Sequence, residues 1–179
     1  MSLNKITPTK CLCVGSFLYR KDLYSVEFLT NLWEDRFGDS IQFYHSYFPM
    51  KDYYSKEMIF DGVGQLERVF LISEKTFDRE LMVEFKDWAQ SIEAKYARDK
   101  HRTINLDIGL LSLENFVLAT TKPYSHRIYL NRGYYAELTY IFRNGQYHKL
   151  DWTYPDYSNE EIIQFFEGER KRLLKMLNT

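Results

Sequence analysis

A chain of 179 residues with 45% apolar and 27% charged residues has the material for one globular domain with a sizeable core. Its net charge of −1 removes the electrostatic case for nucleic acid or an anionic membrane as partner. No apolar run approaches the ~20 residues that span a bilayer, and the start MSLNKITPTK lacks the apolar region of a signal peptide, so a cytoplasmic protein is expected.

Lys10 to Tyr19 is almost wholly apolar after the lysine and reads as a central strand buried on both faces. It carries the two cysteines, Cys11 and Cys13, whose C-x-C spacing is poor for a metal; buried thiols in a reducing compartment are expected. Asp22 is a candidate N-cap for a helix to Phe37, with Leu23, Val26, Leu29, Trp33 and Phe37 as its apolar stripe. Ile41 to Phe48 alternates as a strand that Pro49 ends, and Met50 to Gly64 looks irregular. Arg68 to Ser73 reads as a second buried strand. Asp78 then caps a helix to about Ala97, with Leu81, Phe85, Trp88, Ile92 and Tyr96 on one face.

The richest stretch runs from Thr103 to Asp156. Thr103 to Ile108 alternates as a strand, and Leu111 to Thr120 fits either a helical turn or a strand. Ser125 to Leu130 and Tyr134 to Phe142 form a hairpin around Asn131-Arg132-Gly133, and Asn144-Gly145 turns the chain into a third strand ending near Asp151. The three-residue loop sets Leu130 against Tyr134, Ile128 against Ala136 and His126 against Leu138. On the other face it sets Tyr129 against Tyr135, Arg127 against Glu137 and Ser125 against Thr139. The aromatic pair and the opposite-charge pair favour this register, and a slip of one residue would mix the faces. Ser158 and Glu161 make a capping box for a last helix to about Leu177. The order β-α-β-β-α-β, then meander and helix, predicts one α+β domain over residues 1–179. Its core is a ferredoxin-like split β-α-β unit, extended by a C-terminal antiparallel β-meander and a terminal helix.

The pieces DYYSKEM (52–58), NLDIG (105–109), LATTKPYSHRIYL (118–130), YAELT (135–139) and WTYPDY (152–157) resemble an uncharacterised bacterial family known as domain of unknown function 4416. Relatives usually carry Pro-Gly-Tyr after NLD, where this chain has Ile108-Gly109-Leu110. Some members carry a GTP-binding label, but the resemblance implies no established activity. No phosphate cradle supports that label here: Gly62 and Gly64 are followed by Gln65, there is no Gly-Lys pair, and G-x-G-x-x-G is absent.

The expected site is therefore a polar patch on the meander. Asn105 and Asp107 share one face of their strand, and Arg127 and Glu137 face each other across a pair. Lys122, His126, Trp152, Tyr154 and Asp156 stand nearby. The leading expectation is a small anionic or nucleotide-like ligand held by Arg127 and Lys122, with Asp107 and Glu137 orienting donors or acting as acid and base. No metal site is expected, since alternation turns His126 away from Asp107 and Glu137. No cofactor is named by these residues, and catalysis and oligomeric state are left open. Two readings of other classes stand beside this one. One is an RNA-binding module stacking bases on Tyr129 and Tyr135, against which the balanced charge argues. The other is a protein-interaction domain using the tyrosines of 52–58.

Overall fold

The first strand, β1 (Cys11–Arg20), is buried along its whole length. Such burial requires cover on both faces and partners on both edges. The edges are paired with β3 (Leu66–Phe77) and β4 (Ile104–Leu111), both antiparallel. This computed structural model describes residues 4–45, 50–59 and 64–178. Among them, the other strands are β2 (Ser40–Tyr44), β5 (Asn115–Thr120), β6 (Arg127–Tyr129), β7 (Tyr135–Arg143) and β8 (Gln146–Lys149). All eight form one sheet in the order β2-β3-β1-β4-β5-β7-β6, with β8 also on β7. The run β2-β3-β1-β4, with helices between β1 and β2 and between β3 and β4, is the split β-α-β arrangement.

Period-2 alternation sorts the β1 side chains. Cys11, Cys13, Phe17 and Tyr19 face one core, with α1 (Val26–Phe37) and α3 (Met82–Lys95) packed on it through Leu29, Trp33, Phe37, Phe85 and Ala89. Leu12 and Val14 face the opposite core, which α4 (Glu160–Leu177) covers with Ile162, Ile163, Phe166 and Leu173. The predicted α3 stripe holds: Phe85 and Ile92 are buried, and Leu81, Trp88 and Tyr96 pack against the same core. Trp33 lies directly over Gly15, where an added Cβ would sit 2.4 Å from the indole. Glycine is required there for close approach of helix and strand.

Several expectations are corrected. Ser25, not Asp22, caps α1, its side chain accepting from the Phe28 amide; Asp22 is engaged by the buried Arg20 at 2.6 Å. Met50 to Gly64 is not irregular throughout, because Lys51–Met58 forms a helix, α2, seated on Leu18 and Leu66 through Met58. Asp78 makes no side-chain cap, and a 3-10 turn over Arg79–Leu81 precedes α3, which stops at Lys95. The ambiguous stretch resolves into the turn 112–114 and β5. Asn159, not Ser158, caps α4; the Ser158 hydroxyl donates back to the Tyr154 carbonyl instead. Phe48, Pro49 and Gly62 lie outside the described residues.

Both turns of the meander are as expected. Asn144 and Gly145 have φ of 51° and 86°, the two positive values a type I′ hairpin demands, and they close Arg143 against Gln146. Arg127↔Glu137, Ile128↔Ala136 and Tyr129↔Tyr135 pair in the predicted register.

Two outcomes follow from this packing. Gly15→Ala should lower unfolding free energy by about 1–3 kcal/mol, the usual range for overpacking, read by urea denaturation. The Cys11 thiol is pushed up to about 12, and Cys13 well above the ordinary range, first by burial. Both should therefore resist iodoacetamide at pH 8 in the folded protein and react on unfolding in urea, as mass spectrometry would show.

Candidate functional site

The site arises from a break in the sheet. β4 and β5 pair only through Ile108 to Leu111 on the β4 side, whereas β4 continues alongside β1 back to Ile104. Beyond Ile108 the two strands part, and the exposed backbone edge of β4 needs other partners. Helix α3 supplies them. The Glu93 carboxylate accepts from the Leu106 amide at 2.7 Å, and the Lys86 ammonium donates to the Leu106 carbonyl at 3.2 Å. Two side chains thus stand in for the missing ladder. Burial pushes the Glu93 carboxyl above the usual range, against the pull of Lys86, the Leu106 amide and Arg102.

A cleft of about 160 Å³ opens in this break. One wall carries Asn105 and Asp107, with Arg102 beside them; the other carries Thr120, Thr121, Lys122, Arg127 and Glu137; Tyr53, Tyr54 and Tyr154 close it from the α2 side. Register puts Asp107 and Glu137 on one face of the sheet, since Gly109, two residues along from Asp107, pairs with Leu118, which pairs with Glu137. The patch is wider than the sequence suggested, because β5 intervenes between β4 and β7.

The Arg127–Glu137 pair is the rigid part of the wall. Both side chains are almost fully buried, at 2% and 1% exposure. Arg127 Nε and Nη2 donate to Glu137 Oε2 at 2.6 and 2.5 Å. Nη1 donates to the Lys122 carbonyl and the Thr120 hydroxyl, and Nη2 to the Tyr154 hydroxyl. These contacts engage all five guanidinium donors within the protein. Burial opposes the charge on Arg127, but Tyr154 and Glu137 outweigh it and raise its pKa.

The 152–157 loop is fastened to a bulge in β7. The β5–β7 register jumps between Phe116↔Tyr140 and Val117↔Leu138, which leaves Thr139 as the extra residue. The Leu138 carbonyl accepts from the Trp152 indole at 2.8 Å, and the Thr139 carbonyl accepts from the Thr153 hydroxyl at 2.7 Å. The loop then delivers Tyr154 to the cleft.

Asn105, Asp107, Lys122, Arg127, Glu137 and Tyr154 line the cleft. The other three expected residues stand behind it. His126 Nε2 lies 3.1 Å from Glu137 Oε2 and its ring stacks on Trp152. The expectation that His126 faces away from Glu137 fails because residues 125–126 form a turn before β6, where strand alternation does not operate. Asp156 pairs with the buried Arg68 at 2.8 Å and accepts from the Met50 amide, tying the start of α2 to the loop. Lys86, Gln90 and Glu93 on α3, Arg102, and Tyr53 and Tyr54 on α2 were missed. The readable signal was Lys86 and Glu93, seven residues apart and so on one helix face with Met82 and Ala89.

Most charges in the cleft are paired within it: Arg127 with Glu137, and Arg102 with Glu57. The Asp107 carboxylate and the Lys122 ammonium have no hydrogen bond or ion pair among the described residues. Two buried atoms on the walls are also without a partner, Asn105 Nδ2 and Glu137 Oε1. Among the described residues no cluster of histidine, cysteine and carboxylate groups is arranged to hold a metal, and no helix is long and apolar enough to cross a membrane.

Arg127→Ala should cost about 3–5 kcal/mol, because it strands a buried carboxylate. The double variant Arg127→Met, Glu137→Leu should recover most of that loss. Chemical denaturation of the three proteins checks both outcomes.

No curated protein and no solved structure matches the chain. One family model does, that of Domain of unknown function (DUF4416), over residues 9–173. The chain belongs to that family.

Proposed function

We propose that this protein binds a small anionic ligand, or the anionic end of a nucleotide-like one, in the cleft between β4 and β5. The observation that carries this reading is a pair of buried polar atoms on residues that line the cleft, Asn105 Nδ2 and Glu137 Oε1, with no partner among the described residues. A buried donor or acceptor left unsatisfied costs about 1–3 kcal/mol, and a bound molecule or water that meets both removes that cost. The unpaired Lys122 ammonium at the mouth and the Asn105 amide donor together suit negative charge.

Size narrows the ligand. The 160 Å³ of the cleft is below the ~300–1,000 Å³ of ordinary ligand pockets and near the ~150 Å³ cavity that admits a benzene-sized guest. A small acid fits whole, and a nucleotide fits only by one end. A cytoplasmic setting accords with two buried free thiols.

The small-ligand reading is preferred to an RNA-binding sheet. Tyr129 is exposed, but its ring stands edge-on to Tyr135, and helices cover both faces of the central strands. Titration with inorganic phosphate, acetate and a nucleoside monophosphate, followed by thermal unfolding, tests the proposal. At least one should stabilise the wild type in a concentration-dependent way, by about 2.7 kcal/mol at a hundredfold excess over Kd. Lys122→Gln, an exposed change, should weaken that response about tenfold. No stabilisation by any of the three, or an equal response in the variant, would refute the proposal.

A further inference from the structure

We infer that the ligand of this cleft also carries a positively charged amine, so that it is a small zwitterion of the amino-acid class. This rests on the preceding reading of the cleft as an anion site and adds the second half of its chemistry. The starting point is the inventory of groups left over once every internal contact is made. The donors left over are Lys122 and Asn105 Nδ2. The acceptors left over are the whole Asp107 carboxylate and Glu137 Oε1.

An anion alone answers only the donors. It would enter beside Asp107, a carboxylate with no hydrogen bond or ion pair among the described residues, and like charges at close range repel. An ammonium supplies three donors and one positive charge, the complement of these acceptors. Glu137 is the more informative of the two. It is 1% exposed, and its Oε2 is saturated by Arg127 and His126. Its Oε1 is buried and has no hydrogen-bond partner among the described residues. A carboxylate held so firmly by one oxygen presents the other in a fixed position, which favours binding by reducing what must be ordered.

The match in charge also fits the surroundings. Arg127 pairs with Glu137, Arg102 lies against both Glu57 and Glu93, and Lys86 is bonded to the Leu106 carbonyl, so among the described residues the charged groups of the cleft left with no hydrogen bond or ion pair are one negative, Asp107, and one positive, Lys122. A ligand of zero net charge with separated ends complements that arrangement. The metal-ion alternative is disfavoured, since no group of three or more suitable ligands exists among the described residues.

Calorimetric titration of the whole chain with three matched sets tests this: α- and ω-amino acids of two to six carbons, the corresponding carboxylic acids, and the corresponding alkylamines. The best zwitterion should bind at least about tenfold tighter than its acid or its amine, the loss expected for one charged hydrogen bond. Asp107→Asn should bring the zwitterion down to the affinity of the acid and leave the acid unweakened. This variant is safe for folding, because Asp107 makes no side-chain contact that holds an element in place. Acids binding as tightly as zwitterions would overturn the amine inference and leave the anion reading standing. Amines binding as tightly as zwitterions, with acids silent, would overturn the anion reading instead. Binding by none of the three sets, or an Asp107→Asn protein indistinguishable from wild type, would overturn the inference outright.

Discussion

The backbone of Leu106 is the point on which the site depends. A strand inside a sheet has amides and carbonyls on both edges, and burying them without partners is costly. At Leu106 one edge is met by β1 and the other by Glu93 and Lys86 from α3. That substitution lets β5 leave the sheet without stranding the backbone of β4. The cleft exists because two helical side chains do locally what a strand does elsewhere. The arrangement also explains a lysine and a glutamate on the inward side of a helix whose neighbours Met82 and Ala89 are core residues.

The opposite wall is organised by a different device. Arg127 and Glu137 form a buried pair, which by itself is weak evidence of stabilisation because desolvation offsets the Coulomb attraction. Here Arg127 is saturated by Glu137, Thr120, Tyr154 and the Lys122 carbonyl, and Glu137 Oε2 also meets His126. That converts two flexible chains into a fixed surface. The bulge at Thr139 contributes by leaving two β7 carbonyls for the Trp152 and Thr153 side chains, so the loop bearing Tyr154 is attached to the same strand as Glu137. Asp156, one turn further on, fastens the loop to Arg68 and the start of α2.

What was legible in the sequence was governed by local chemistry. Asn144-Gly145 and Asn131-Arg132-Gly133 specify their turns through backbone preference, and the turns then specify which residues face each other, so Arg127 and Glu137 were placed correctly. The apolar stripe of α3 was legible from its helical period. What was not legible depended on distant partners. Ser25 prevails over Asp22 as a cap because Arg20 claims the aspartate. The helix over Lys51–Met58 has few apolar residues and no side-chain cap, and it is held by its seat on Leu18 and Leu66. His126 was misjudged because alternation was extended one residue past the end of a strand. The roles of Lys86 and Glu93 were not legible, since nothing local announces that β5 will leave β4 at Ile108.

The Leu106 arrangement has a kinetic consequence. Where strands pair with strands, making or breaking contact along an edge means moving a strand, a collective event of microseconds or longer. At Leu106 the partners are the terminal groups of one glutamate and one lysine, and freeing the edge requires only rotation about side-chain bonds. Such rotations take picoseconds to nanoseconds in exposed residues, and even when slowed by burial they leave every strand in register. At this place the hydrogen bonding of the sheet rearranges by side-chain rotation rather than by strand movement.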